Sequence, residues 1–117
     1  MKNYFQRWEV ECKCGCGECD MSQIFMDTLN QARYLSDIPY SLNSAFRCPT
    51  HNLNEGGGED SAHLTGQAAD IKTPNSHIRF LVLDGLIFAG FKRIGIHRLF
   101  IHADSDLTKP PEVSWLY

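Results

Sequence analysis

Ser61-Ala62-His63-Leu64-Thr65-Gly66-Gln67-Ala68-Ala69-Asp70, read with the short segment Ile101-His102-Ala103-Asp104, decides both the fold and the chemistry of this chain. His63, Asp70 and His102 supply two imidazoles and one carboxylate. Three such protein ligands with a free fourth position are what catalytic, rather than structural, zinc sites use. The set leaves one net positive charge on Zn²⁺, enough to acidify a bound water toward neutrality, so the pattern points to a metal-dependent hydrolase. Gly66 falls where the chain has to turn between His63 and Asp70, and Ala68-Ala69-Asp70-Ile71 reads as a short buried strand. In the second segment side chains alternate with period two. Arg98, Phe100, His102 and Asp104 therefore share one face of a strand running from Leu99 to Asp104, and Asp104 points into the same cleft as His102.

The rest of the chain frames these segments. Asp20 or Ser22 is placed to cap a helix whose apolar stripe is Ile24, Phe25, Leu29, Ala32 and Leu35, ended by Asp37-Ile38-Pro39. Tyr40 to Phe46 alternates as a strand, and Pro49 suits the first turn of a short helix ending near Gly56-Gly57-Gly58. That glycine run is no phosphate cradle, since no Gly-Lys-Ser/Thr ending follows it. A second long helix starts at Asn75 or Ser76, carries Ile78, Leu81, Val82, Leu86 and Ile87, and stops at Gly90. Phe91 to Asp104 supplies one or two strands. Helices packed on a small, mostly antiparallel sheet make an α+β fold, and 117 residues make a single domain, 1–117. Trp115 and Tyr117 are expected to close the core, with a place at the cleft rim as the other reading.

Ser44-Ala45-Phe46-Arg47-Cys48-Pro49-Thr50-His51-Asn52, Gly56-Gly57, Ser61-x-His63-x-x-Gly66-x-Ala68-x-Asp70-Ile71, Phe100-Ile101-His102-x-Asp104 and a closing Trp115 follow one another from Ser41 to Trp115. In this order and spacing the chain resembles the zinc peptidases of the D-alanyl-D-alanine carboxypeptidase type. That group includes phage L-alanyl-D-glutamate endopeptidases and vancomycin-resistance dipeptidases, and it shares its fold with the hedgehog signalling domain. The resemblance implies a hedgehog-like α+β fold, Zn²⁺ held by His63, Asp70 and His102, and hydrolysis of peptide bonds in peptidoglycan stem peptides by a carboxypeptidase or a lysin-like endopeptidase. It also implies that Arg47 holds a substrate carbonyl or carboxylate, with Ser61 beside it.

The chain departs from its relatives at the general base. Some branches place a glutamate three residues before the last zinc histidine, where this chain has Leu99. Asp104 is therefore the first candidate for the base. His97 is the runner-up, although alternation along one strand puts it on the face opposite His102, from which it needs a bulge to reach the site; a loop carboxylate such as Glu59 is a further choice. For Arg47 the competing reading is a structural salt bridge, and for Ser61 a turn or cap residue. Two other functions stay open: a cysteine peptidase with Cys48 as nucleophile at a helix N-terminus, and a zinc-stabilised cell-wall or protein binding module without catalysis.

Four of the five cysteines crowd into Cys12-Lys13-Cys14-Gly15-Cys16-Gly17-Glu18-Cys19, with Cys48 apart. A structural zinc is conceivable, but one segment is tight for a four-ligand cage, and such sites normally draw on two knuckles. A disulfide from this loop to Cys48, or simply reduced thiols, is the expectation. Eleven basic and fourteen acidic residues give a formal charge of -3 with no Lys/Arg run, which argues against nucleic acid or an anionic membrane as partner. No stretch approaches the roughly 20 apolar residues that cross a bilayer, and the N-terminus lacks a signal-peptide h-region. The expectation is a monomer made in the cytoplasm and acting on the cell wall.

Overall fold

The computed structural model describes residues 2–117. Its elements are α1 (Arg7–Val10), α2 (Gln23–Ser36), β1 (Leu42–Ser44), α3 (Pro49–Asn54), a 3₁₀ turn (Ala62–Thr65), β2 (Ala68–Lys72), α4 (Ser76–Ala89), β3 (Arg93–Ile96), β4 (Phe100–Asp104) and β5 (Val113–Leu116). The two long helices begin where a side-chain oxygen satisfies a free backbone N–H. Ser22 Oγ accepts the Phe25 N–H at 3.3 Å and Asn75 Oδ1 accepts that of Ile78 at 2.9 Å. They end where the chain enters the left-handed region, at Asp37 (φ 56°) and Gly90 (φ 101°).

The strands form one sheet in the order β1-β2-β4-β3-β5, antiparallel throughout except for the parallel pair β3–β5. The α+β reading with a mostly antiparallel sheet therefore holds. Register divides the sheet cleanly. Ala69, Ala103 and Ile94 stand in one row and Ile71, Ile101 and Ile96 in another, all on the face covered by Phe25, Leu29, Val82 and Leu86 of the long helices. Burying each of the isoleucine, leucine, valine and phenylalanine side chains among them contributes about 1.5–3 kcal/mol. The intervening row, Asp70, His102, Gly95 and Trp115, lies on the opposite face.

Several elements differ from the sequence expectation. The helix stripe of α2 is shifted: Ile24 and Leu35 are exposed while Met26 is buried, and on α4 Ile87 faces solvent as well. The strand expected over Tyr40–Phe46 shrinks to Leu42–Ser44, because the register with β2 slips at this end and Tyr40 turns into the core, where its hydroxyl pairs with Ser36 Oγ at 2.7 Å. Trp115 and Tyr117 do not close the core. They follow β5, an edge strand paired with β3, onto the opposite face.

The seam between α2 and α4 depends on Gly85. A β-carbon there would collide with Ser36 Oγ and stand 2.5 Å from the Ala32 carbonyl oxygen, while Ser36 already donates to the Leu81 carbonyl at 2.7 Å. Gly85→Ala, though a helix-favouring change, should destabilise the protein by about 1–3 kcal/mol through overpacking. A thermal melt should show Tm lower by about 5–10 °C; an unchanged Tm would mean that the helices separate without cost.

Candidate metal centre

β2 and β4 bring the second and third candidate ligands together. Asp70 and His102 are cross-strand partners, and directly opposed side chains in an antiparallel pair point to the same side. His63 arrives from the 3₁₀ turn. Ser61 Oγ caps that turn by accepting the His63 N–H at 3.3 Å, and Gly66 ends it at φ 67°, where a β-carbon would strike the Asp20 carbonyl oxygen. The turn is also pinned from the other side, since the Arg47 N–H donates to the His63 carbonyl at 3.1 Å.

One donor atom from each of His63, Asp70 and His102 lies within 4.8 Å of the other two, and all three residues are buried. The rest of each imidazole is occupied in the way a metal site requires. His63 Nδ1 donates to the Ala45 carbonyl at 2.7 Å, leaving Nε2 turned toward Asp70 Oδ2 at 3.5 Å. His102 is held the other way round: Nε2 donates to Asp104 Oδ2 at 2.8 Å, and Nδ1 faces Asp70 Oδ1 at 2.9 Å. Two imidazole nitrogens and one carboxylate, each fixed from behind, fit Zn²⁺.

The electrostatics agree with that fit. Burial opposes charge on Asp70, but the hydrogen bonds from His102 and His63 outweigh it and hold the carboxyl well below the usual carboxylate range. Burial likewise opposes charge on His102, yet the carboxylates of Asp104 and Asp70 on its two nitrogens raise its pKa. Each carboxylate is further balanced by its own arginine. Arg47 Nη2 donates to Asp70 Oδ2 at 3.3 Å, and Arg93 Nε donates to Asp104 Oδ1 at 2.8 Å. His102 Nδ1, facing Asp70, is the nitrogen that would hold the metal, while Nε2 stays on Asp104.

The expectation that Asp104 acts as general base does not match its placement. Its Oδ2 is taken by His102 Nε2, on the far side of the ring from Asp70, and its Oδ1 by Arg93 and the Asp106 N–H at 3.2 Å. This is the geometry of a carboxylate that orients the His102 imidazole. The face assigned to His97 is corrected as well. The chain does not run straight from His97 to His102; a two-residue hairpin turn intervenes, and the His97 N–H donates to the Phe100 carbonyl at 2.9 Å. That pairing resets the alternation. His97 stacks on Phe100 (4.5 Å between centroids) on the same face as His102, with Arg98 in the turn rather than in the strand.

A cleft of about 300 Å³ opens over His63, Asp70 and His102, bordered by Arg47, Glu55, Ser61, Phe100 and Tyr117. Arg47 is fixed by its structural contacts. It lines the cleft, and its guanidinium is held by Ser44 Oγ (2.9 Å), Asn52 Oδ1 (3.4 Å) and Asp70. Ser61 combines its cap role with a place in the wall. Sequence reasoning missed Asn52, which is buried and ties Arg47 to the glycine loop through the Gly58 carbonyl (2.9 Å), and it missed Glu55 as a cleft carboxylate. Glu59, by contrast, is exposed on the loop and does not border this cleft. Cys48 does not fit a nucleophile: it is buried, its Sγ accepts the His51 N–H at 3.5 Å as the cap of α3, and it lies outside the cleft wall. No disulfide joins it to the Cys12–Cys19 segment, since all five cysteines are free.

Orientation and base catalysis predict different outcomes at Asp104. Asp104→Ala should weaken zinc binding by about 10–100-fold, read by competition with a chromophoric chelator, because it frees the His102 ring. Unchanged zinc affinity with lost turnover would instead restore Asp104 to the role of base.

No curated protein matches the chain significantly. The profile of the family described as Peptidase M15 matches residues 3–104, a span that takes in Arg47, the 3₁₀ turn and both ligand-bearing strands. With the family profile covering most of the sequence and a donor set suited to zinc at its centre, the chain belongs to the zinc-dependent metallopeptidases of family M15.

Proposed function

We propose that this zinc peptidase hydrolyses peptide bonds in peptidoglycan stem peptides, with His63, Asp70 and His102 as the metal ligands. The observation that carries the reading is the convergence of these three donors beneath an open cleft, each imidazole held by its second nitrogen. Zinc, when bound, supplies Lewis acidity toward a carbonyl oxygen and makes water more acidic. The cleft is small, which suits a short peptide, and Arg47 places a cation at its wall, which suits a substrate with a carboxylate near the scissile bond. The resemblance to carboxypeptidases and endopeptidases of the cell wall supports the same class of substrate.

Arg47 orients: while one edge of its guanidinium holds Asp70, the face toward the cleft meets the substrate carboxylate or carbonyl. Ser61 offers a hydroxyl beside it. Among the residues bordering the cleft, Glu55 is the carboxylate not committed to the metal set, so a Glu55 carboxylate oxygen is the acceptor for the proton of the attacking water. His97, behind Phe100, is its competitor.

Mass spectrometry of muropeptides after incubation with the zinc-loaded protein tests the reading. Loss of a terminal residue or scission within the stem is expected, and neither should occur with His102→Ala. Full zinc with no turnover on any muropeptide would leave a binding module. Glu55→Gln should keep its zinc and lose about 10²–10⁴ in kcat; unchanged kcat would move the role to His97.

Arg47→Lys keeps the charge but cannot reproduce a planar two-donor grip. At saturating zinc, kcat/KM on a purified stem peptide should fall by about 10²-fold or more, equivalent to roughly 3 kcal/mol of transition-state stabilisation. Equal values would leave Arg47 with its structural contacts alone.

A further inference from the structure

The cysteines form a second constellation that the hydrolytic site does not use. One Sγ each from Cys12, Cys14, Cys16 and Cys48 lies within 4.8 Å of the other three. Cys12 and Cys14 are 3.4 Å apart and Cys14 and Cys48 3.7 Å. Four thiolates around a single tetrahedral zinc at 2.3 Å stand about 3.8 Å from one another, whereas a disulfide would draw one pair to about 2.0 Å. The grouping therefore has the spacing of a cage around an ion.

The fold supplies the second knuckle that one segment lacks. Gly15 (φ 89°) and Gly17 (φ 81°) curl the Cys12–Cys16 stretch back on itself, and the Cys12 N–H donates to the Glu18 carbonyl at 2.9 Å to close the loop. Cys48 comes from the head of α3, far away in sequence. The Cys48 N–H donates to Cys12 Sγ at 3.4 Å and ties the two segments together, while the His51 N–H donates to Cys48 Sγ at 3.5 Å within the head of α3. Cys19 takes no part; it packs, half-buried, against the main core. Thiolate sulfur selects zinc over the hard cations.

We infer that Cys12, Cys14, Cys16 and Cys48 bind a structural zinc ion, separate from the hydrolytic one, which fastens the N-terminal segment to the chain beside Arg47. Besides the ion, the N-terminal loop meets the Arg47–Cys48 corner through a small satellite cluster of Cys12, Phe46, Cys48 and Met21, the Phe46 N–H bond to the Val10 carbonyl at 3.0 Å and the N–H···S bond to Cys12. Cys48 follows Arg47 directly, so the ion fixes the backbone from which the cleft arginine projects.

Elemental analysis of the purified full chain tests this. Two zinc ions per chain are expected in the wild type and in Cys19→Ser, one in Cys14→Ser and one in His102→Ala. The remaining zinc of His102→Ala should be released by a mercurial thiol reagent. Cobalt(II) substitution of the wild type gives a reading that needs no cysteine variant: intense thiolate-to-metal charge-transfer absorption in the near ultraviolet, retained in His102→Ala. A wild type with one zinc that Cys14→Ser leaves unchanged, a cobalt protein without the charge-transfer band, or a mass two hydrogens short showing a disulfide among these cysteines would each overturn the assignment. Failure of His102→Ala to lose a zinc would count against the hydrolytic ligand set alone.

Discussion

The pairing of Asp70 with His102 across β2 and β4 is the constraint on which the rest of the structure depends. In a sheet with one greasy and one polar face, a one-residue slip sends every side chain to the wrong side. Here the slip would put Ile71 and Ile101 into the cleft and the aspartate and histidine into the helices. The hydrophobic row thus protects the register of the metal row beneath it. This accounts for fully buried alanines at 69 and 103, where the helices lie close over the strands.

Around that pairing, charge is arranged in alternation. Arg47, Asp70, His102, Asp104 and Arg93 form a continuous chain of hydrogen bonds across the sheet. Breaking one member of a buried charged chain costs far more than the chain contributes to stability, because the partner left behind is desolvated and unpaired. The arrangement is better understood as fixing positions than as adding stability. It sets which nitrogen of His102 turns toward Asp70, and Arg93 in turn lies over the Trp115 ring, 5.1 Å from its centroid, which extends the order to the edge strand.

Much of this was legible in the sequence because it rests on local rules. Ser22, Asn75 and Gly90 mark helix ends by capping chemistry, and the period of two around Asp70 and His102 gives both a strand and a shared face. What escaped was what depends on partners distant in sequence. His97 was misplaced because alternation was counted through a hairpin turn. Strand spacing puts Asp104 on the face of His102 but says nothing of which side of the imidazole its carboxylate occupies. β5 leaves little trace in Val113-Ser114-Trp115-Leu116, a short edge segment whose pairing with β3 is set by the sheet. The cysteines looked like one crowded segment until α3 brought Cys48 to them and left Cys19 behind.

The three candidate ligands, His63, Asp70 and His102, are not held with equal firmness. Asp70 and His102 sit on neighbouring strands of a five-stranded ladder, whereas His63 belongs to a four-residue 3₁₀ turn held by one hydroxyl cap and a handful of backbone bonds. Local openings in proteins follow such differences, and short turns part at far lower free energy than paired central strands. A fluctuation of the turn withdraws one donor of three while the sheet stays whole. Were zinc held there, its exchange would follow the opening of this one small turn and not the global unfolding of the domain.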